Sequence, residues 1–378
     1  MSKTINLIPL LSPSLGSERS LKVIRWSGGD GPVTYLQAAL HADEWGGIHC
    51  LHYLEALLDS ALERGELLGT VIMVPVANPI GLGQHLNGYT VGRFDFDYSG
   101  NFNRNFPRLA PLAIPLLEAR LGSDAEQNNR LVRETLRECL NDLSPQLEAE
   151  VLKQRLLELS LEADIVLDLH CDSEATLHLY ANRRHQHTAA ELAAFVGAPV
   201  LLLEESTEGA PFDDANAAPW WQLQEQFPQH AIRNGCFACT LELRGRTDIE
   251  AHLARQDAEG VFRFLQQQGV IAGTPERPQR LTEGTPLDGL DAVKAPLAGL
   301  VEYCKEVGDL IEAGERVAWI INPYADHHDN QRVPVYAKTG GLLFARRRDK
   351  MTRPGHTLAK IAGDHSLAFR KGGKLLEY

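Results

Sequence analysis

Apolar runs of strand length, set apart by turn-forming clusters, dominate the first three quarters of the chain. Leu21–Trp26, Val33–Leu40, Val71–Val76, Asp164–His170, Pro199–Leu203 and Phe237–Leu243 each read as a buried strand. Apolar residues at helical spacing fill Ile48–Arg64, segments across Pro115–Leu161 (Leu131, Thr135 and Leu136 among them) and Ile249–Gln268. Strands and helices alternating in this way predict an α/β sheet with parallel elements. Pro79 disfavours helix at Asn78 and ends the strand before it. The stretch Gly81–Pro107 then runs on with Gly, Asn and aromatic residues and no clear period, as long functional loops do.

Gly273–Pro286, rich in Pro, Gly and Thr, reads as a linker, and beyond it the texture changes to short strands and turns. A weak repeat lies within that part. Ala295-Pro-Leu-Ala-Gly299-Leu-Val resembles Ala337-Lys-Thr-Gly-Gly341-Leu-Leu, and each copy continues into an apolar run, Val317–Ile321 or Thr357–Ile361. Two such interleaved units resemble the barrel-sandwich fold of lipoyl and biotinyl carrier domains. The link Asn322–Pro334 holds no lysine for a swinging arm, and its His327 and His328 read as an exposed polar turn. Two domains are expected, 1–285 and 286–378, the second placed to cap a site on the first.

Composition narrows the class. A net charge of −13 over 378 residues argues against a nucleic-acid partner. No signal segment opens the chain and no apolar run spans a bilayer, so a membrane partner is not expected. Six scattered cysteines do not form a disulfide framework, and Cys236-Phe-Ala-Cys239 lies in a strand-like run, so both read as buried thiols. The expected setting is the cytoplasm. The basic run Arg346, Arg347, Arg348, Lys350, Arg353 and Lys360 reads as a solvated edge, with an anionic docking patch as the alternative. The oligomeric state is open, with a homo-oligomer allowed.

The candidate chemistry begins with His41-x-x-Glu44, on a loop between a buried strand and a helix, where Gly46 and Gly47 let the backbone turn. An imidazole and a carboxylate on one rigid loop are half of a zinc site. His170, at the end of another strand, is the candidate third ligand, and Asp168 on the same strand face is a plausible acceptor for its ring. His49 and His52 sit three apart on a helix, where a surface or packing role suffices. Glu242, between Leu241 and Leu243 at a strand end, is a candidate general base with a raised pKa, or an edge carboxylate paired with Arg244. Arg93 and the stretch Phe102-Asn103-Arg104-Asn105-Phe106-Pro107 offer a cation and a carboxylate clamp.

Taken in order, His41-x-x-Glu44, Asn78-Pro79-Ile80-Gly81, Arg93, Asn103-Arg104, Asp168-Leu-His170 and Glu242 resemble the zinc carboxypeptidase superfamily, and the whole chain resembles its succinylglutamate desuccinylase/aspartoacylase branch. The resemblance implies a zinc-carboxypeptidase-like α/β/α sandwich with a mixed central sheet, followed by a small all-β domain. It implies one zinc ion on His41, Glu44 and His170, Glu242 as base and then acid, Arg93 at the scissile carbonyl, and Asn103 with Arg104 on a substrate carboxylate. The implied activity is hydrolysis of a small N-acyl amino acid, the small-molecule partner of the chain. Two departures stand out. Asn101-Phe102 replaces the Asp-Leu common before Asn-Arg, leaving the clamp intact. Arg244, expected on the same strand face as Glu242, adds a substrate-binding cation that can lower the pKa of the base. A metallocarboxypeptidase acting on peptides and a non-catalytic binding protein are the alternatives.

Overall fold

A computed structural model of the chain describes residues 1–97, 100–205 and 209–367. The apolar runs become strands of one nine-stranded mixed sheet. In chain order these are β1 (Ser2–Pro9), β2 (Ser20–Ser27), β3 (Val33–Ala38), β4 (Thr70–Val74), β5 (Ile165–Asp172), β6 (His178–Asn182), β7 (Val200–Glu204), β8 (Phe237–Gly245) and β9 (Thr285–Pro286). Side by side they run β1-β2-β4-β3-β5-β8-β6-β7-β9. β3 is parallel to both β4 and β5, and β7 is parallel to β6 and β9. β2 is antiparallel to β1 and to β4. The interior parallel strands are covered on both faces, which is why Thr70–Val74 is buried throughout and reads as an unbroken apolar run.

Two compact units divide the chain. The first comprises Met1–His170, Thr207–Thr240 and Ile249–Arg277, and the second Cys171–Ser206, Leu241–Asp248 and Pro278–Tyr378. In the first, the helix Gly46–Glu63 buries Cys50, Leu51, Leu54, Leu58 and Ala61 at helical spacing and packs on the helix Ala251–Gln267. Helices Ala125–Asn141 and Glu148–Ser160 lie in the predicted helical region, Ala110–Leu117 begins before it, and the apolar faces of the three join Tyr35, Ile72, Val166 and Phe212 in one core. Two helices had no clear sequence signal: Gln186–Val196 and Phe212–Gln226, the latter with Pro219 inside it.

In the second unit the repeat copies form antiparallel sheets. Leu290–Lys294, Thr357–Ala362, Gly341–Arg346 and Leu310–Ile311 lie side by side in that order, and Arg332–Tyr336, Arg316–Ile321, Gly299–Tyr303 and Met351–Thr352 form the other sheet. Val293, Val301, Val317, Ile320, Leu343 and Ile361 pack between them. The two-residue strand Glu174–Ala175 pairs with Gly341–Arg346, setting Glu174 against Arg346. The basic run therefore departs from a solvated edge. Arg346 Nε reaches Glu174 at 2.5 Å, Lys350 Nζ reaches the same carboxylate at 2.8 Å, and Lys360 Nζ donates to Asp172 Oδ2 at 2.5 Å. Arg348 keeps to the surface with half its side chain exposed. The charge run is split because Arg346 and Lys360 lie on strands beside Glu174 and Asp172, whereas Arg348 lies in the loop after the strand Gly341–Arg346.

Candidate active site

The loop after β3 is shaped by its backbone. Ala39 takes φ 57°, in the left-handed region that a residue with a Cβ adopts at a cost of about 1 kcal/mol. That turns the chain out of the sheet immediately before His41. Asn78 holds the turn from the neighbouring strand end: its Nδ2 donates to the Leu40 carbonyl at 2.9 Å, and its Oδ1 caps the Gly81 N–H at 2.8 Å. The helix starts at Gly46, so Gly46 and Gly47 lie inside it rather than forming a turn before it. A Cβ on Gly47 would stand 2.8 Å from Ala38 Cβ and 2.9 Å from Leu169 Cβ, so the glycine serves close packing of helix on sheet. Gly92 does the same for the second loop. Its carbonyl accepts from Ala42 N–H at 3.0 Å, and a Cβ there would lie 2.6 Å from Ala42 Cβ, which leaves Arg93 beside Glu44.

Three ligand-type atoms converge as a result. His41, Glu44 and His170 are all buried and offer atoms within 4.8 Å of one another; among the described residues this is the His/Cys/Asp/Glu group that could hold a metal ion. His41 Nδ1 is 3.1 Å from Glu44 Oε1, and His170 Nδ1 is 2.9 Å from Glu44 Oε2. Each ring is oriented through its other nitrogen. His41 Nε2 lies 2.9 Å from Asn101 Oδ1, and His170 Nε2 lies 2.9 Å from Asp168 Oδ2. Asp168 is fixed in turn, its Oδ1 accepting from Gln37 Nε2 at 2.9 Å, and Gln37 Oε1 accepts from the Tyr35 hydroxyl at 2.9 Å. In its neutral form, the form that binds a metal, each ring whose outer nitrogen donates its proton presents a lone pair inward, so two imidazoles and a carboxylate then face one centre. Acceptors that face each other call for a cation. Arg93 meets that demand in part, with NH1 3.0 Å from Glu44 Oε1 and 3.2 Å from His41 Nδ1. The N, O, N donor set fits a divalent ion equally well.

The electrostatics follow the same pattern. Burial, then the Arg93 guanidinium, lowers the His41 pKa to about 4, against the opposing pull of Glu44. Burial also works to lower His170, but Asp168 and Glu44, one on each side, outweigh it and raise that imidazole well above its ordinary value. Burial pushes the Glu44 carboxyl up, while His41 and His170 together hold it well below the usual carboxylate range. His49 and His52 stand apart from this centre, each ring stacked near Tyr53 at 5.3 and 5.1 Å.

The remaining predicted residues fall in two places. Asn103 is in the first unit, buried, with its Oδ1 committed to the Phe212 N–H at 2.8 Å; its NH2 therefore turns the other way, 3.4 Å from His170 Nε2. Arg104, half-buried, donates to the Asn103 carbonyl at 2.6 Å. Glu242 and Arg244 are half-buried on β8, in the second unit. Arg244 has φ 61°, so plain strand alternation, which would set it on the same face as Glu242, does not hold at that residue. Asn101 escaped the sequence reading as a partner of His41. Its signal was its position two residues before Asn103, but nothing in the sequence tells which ring a loop amide 60 residues away will meet.

Fold and site together define a mixed α/β protein with a metal-competent His-Glu-His centre at the ends of its central strands. The chain belongs to the succinylglutamate desuccinylase/aspartoacylase catalytic-domain family, which matches residues 30–267. No curated protein matches it by sequence. Among solved structures, a protein of Shewanella amazonensis SB2B assigned to the same family is 28% identical with a TM-score of 0.84, covering 96% of this chain and 98% of its own. A Shewanella frigidimarina NCIMB 400 protein of the same group is 25% identical with a TM-score of 0.86, covering 96% and 97%. The ectoine utilization protein EutE (DoeB) of Ruegeria pomeroyi, solved with product bound, shares the fold at 18% identity, with a TM-score of 0.66 over 96% and 95% of the two chains.

Proposed function

We propose that the chain is a zinc-dependent hydrolase of the amide bond in a small N-acyl amino acid. The observation that carries this reading is the convergence of His41 Nδ1, Glu44 and His170 Nδ1 with both outer ring nitrogens already committed to acceptors. Two imidazoles and one carboxylate are a donor set that zinc favours in hydrolytic sites. A zinc ion held by these three residues supplies Lewis acidity for activating water and polarising the carbonyl. Glu242 takes the proton of the attacking water and returns it to the leaving nitrogen. Arg93, already at the ligand cluster, adds positive charge where the carbonyl oxygen becomes negative. Asn103, with its oxygen occupied and its NH2 on the side of His170, and Arg104 bind the substrate carboxylate, and Arg244 contributes to recognition of the acyl or amine part.

The reading includes a catalytic domain, 1–285, and a C-terminal β domain, 286–378, of which residues 368–378 lie outside the described part. Small acyl-amines, rather than peptides, are the substrates of this reading. It also includes a reducing, cytoplasmic setting, in keeping with six free cysteines; no helix among the described residues is long and apolar enough to cross a membrane. The test is metal analysis of the purified protein together with turnover of an N-acyl amino acid panel and a peptide ladder, for wild type and Glu242→Ala. One zinc per chain and hydrolysis of an acyl-amide, reduced at least about a hundredfold in Glu242→Ala, is the expected result. Full activity in that variant, or cleavage of the ladder alone, overturns the reading.

A further inference from the structure

The two metal-facing imidazoles are held by unlike partners. His170 donates to a carboxylate, Asp168, whereas His41 donates to an amide oxygen, that of Asn101. The assignment of that oxygen is firm on hydrogen-bond logic. Asn101 is buried, and its Oδ1 lies 2.8 Å from the backbone N–H of Asn103 as well as 2.9 Å from His41 Nε2. A backbone N–H only donates, so the atom it points at is the carbonyl oxygen, and the same oxygen must accept from the ring. His41 therefore carries its proton on Nε2 and directs the Nδ1 lone pair inward. Flipping the amide would place a donor against two donors.

An outer carboxylate makes an imidazole a stronger electron donor, and its negative charge lies close to the bound cation; an amide gives the orientation without the charge. Arg93, 3.2 Å from His41 Nδ1, draws further on the same ring. We infer that Asn101 is a positioning residue for His41 whose neutral side chain sets the metal affinity of the site below the value that a carboxylate at this position would give. The inference rests on the proposal that His41, Glu44 and His170 hold a divalent ion, and it concerns how tightly they do so.

Zinc alone is the probe. The full-length protein, stripped of metal, competes with a chromophoric chelator, and the zinc dissociation constant is read for wild type, Asn101→Asp, Asn101→Ala and Asp168→Asn. Asn101→Asp is expected to bind zinc about tenfold tighter, and Asn101→Ala and Asp168→Asn about tenfold weaker. The gain is the informative arm, since a residue that only supports the loop cannot improve binding when it is replaced. Unchanged or weaker binding in Asn101→Asp, with the metal-free protein melting as wild type does, overturns the inference. Should Asn101→Asp fail to fold, Asn101→Ala decides it: zinc affinity equal to wild type overturns the inference, and a tenfold loss without a change in metal-free melting supports it. A wild-type protein that binds no divalent ion removes the metal reading and this inference with it, whereas wild-type binding with an indifferent Asn101→Asp removes the inference alone.

Discussion

Two buried polar clusters in this chain are built on opposite rules. Around Glu44, two imidazole nitrogens and a carboxylate converge on one centre, with an arginine at the margin. Around Asp172, a carboxylate meets an ammonium. Lys360 Nζ sits 2.5 Å from the carboxylate, and His178, fully buried, approaches it at 3.8 Å while its Nδ1 donates to the Thr176 carbonyl at 2.9 Å. The first gathers three ligand-type atoms that a divalent ion can bridge; the second joins its carboxylate to an ammonium. Burial and perturbed titration are found in both, so neither property separates a site from a strut. The pairing does. A carboxylate held by an ammonium is neutralised where it stands, whereas convergent nitrogen and oxygen donors are where a metal ion belongs.

The contrast is broken or sharpened most strongly by removing Lys360. The ammonium comes from the strand Thr357–Ala362, and it holds Asp172 well down, to about 2, against burial that pushes the carboxyl up. Lys360→Met leaves a largely buried carboxylate without its partner and is expected to cost about 3 kcal/mol of stability in urea unfolding. The double change Asp172→Asn/Lys360→Met, which removes both charges, should recover at least half of that. Zinc bound per chain should not change in either variant. If Lys360→Met instead kept its stability and lost its metal, the Asp172 cluster would belong to the site and the contrast would fail.

Acid pH makes a smaller test of the same cluster. Burial first, and then Lys360, lowers the His178 pKa to about 4 from an ordinary 6.5, against the opposing effects of Asp172 and the Thr176 carbonyl. The folded state therefore resists a proton that the unfolded chain accepts. The sign follows: the stability is fully present above the unfolded value and is lost as pH falls from about 6.5 towards 4, by about 2 kcal/mol at pH 4.5. Urea unfolding at pH 7 and about pH 4.5 measures it, and His178→Gln should flatten that slope. An equal slope in the variant would place the acid sensitivity elsewhere.

These features differ in how far the sequence disclosed them. Val33–Leu40, Val71–Val76 and Asp164–His170 were readable because interior parallel strands need apolar side chains on both faces. β1 was not, since an edge strand that leaves Ile5 and Leu7 exposed carries no burial pattern. β6 contains His178, Tyr180 and Asn182, and its polar members hide a strand whose core is Leu179 and Ala181. The position of His41 and Glu44 on a loop after a buried strand was readable from local spacing, as was Asp168 on the face of His170. Asn101 on His41, the left-handed Arg244 and the inward turn of Lys360 were not. Each depends on which distant segment is brought alongside, and spacing in one dimension does not carry that.

The basic run offers the finest test, because two of its arginines stand two residues apart and differ in surroundings. Arg346 keeps only 17% of its side chain exposed, with Nε on Glu174 at 2.5 Å and NH1 on the Lys305 carbonyl at 3.0 Å. Its guanidinium also covers the ring of Tyr303, 5.0 Å from the centroid. Arg348, half exposed, meets the exposed Asp349 at 4.0 Å. Composition treats the two alike. Charge-assisted hydrogen bonds to a sheltered carboxylate are worth more than an exposed ion pair, so Arg346→Ser should lower stability by about 1 to 2 kcal/mol and Arg348→Ser by no more than about 0.5 kcal/mol. Salt should separate them too. At 1 M sodium chloride the Arg348 effect should vanish and most of the Arg346 effect should persist, because sheltered pairs are screened less. Equal losses at low salt, both erased at high salt, would return the whole run to the solvated edge that its composition suggests and leave Lys360 as an isolated strut.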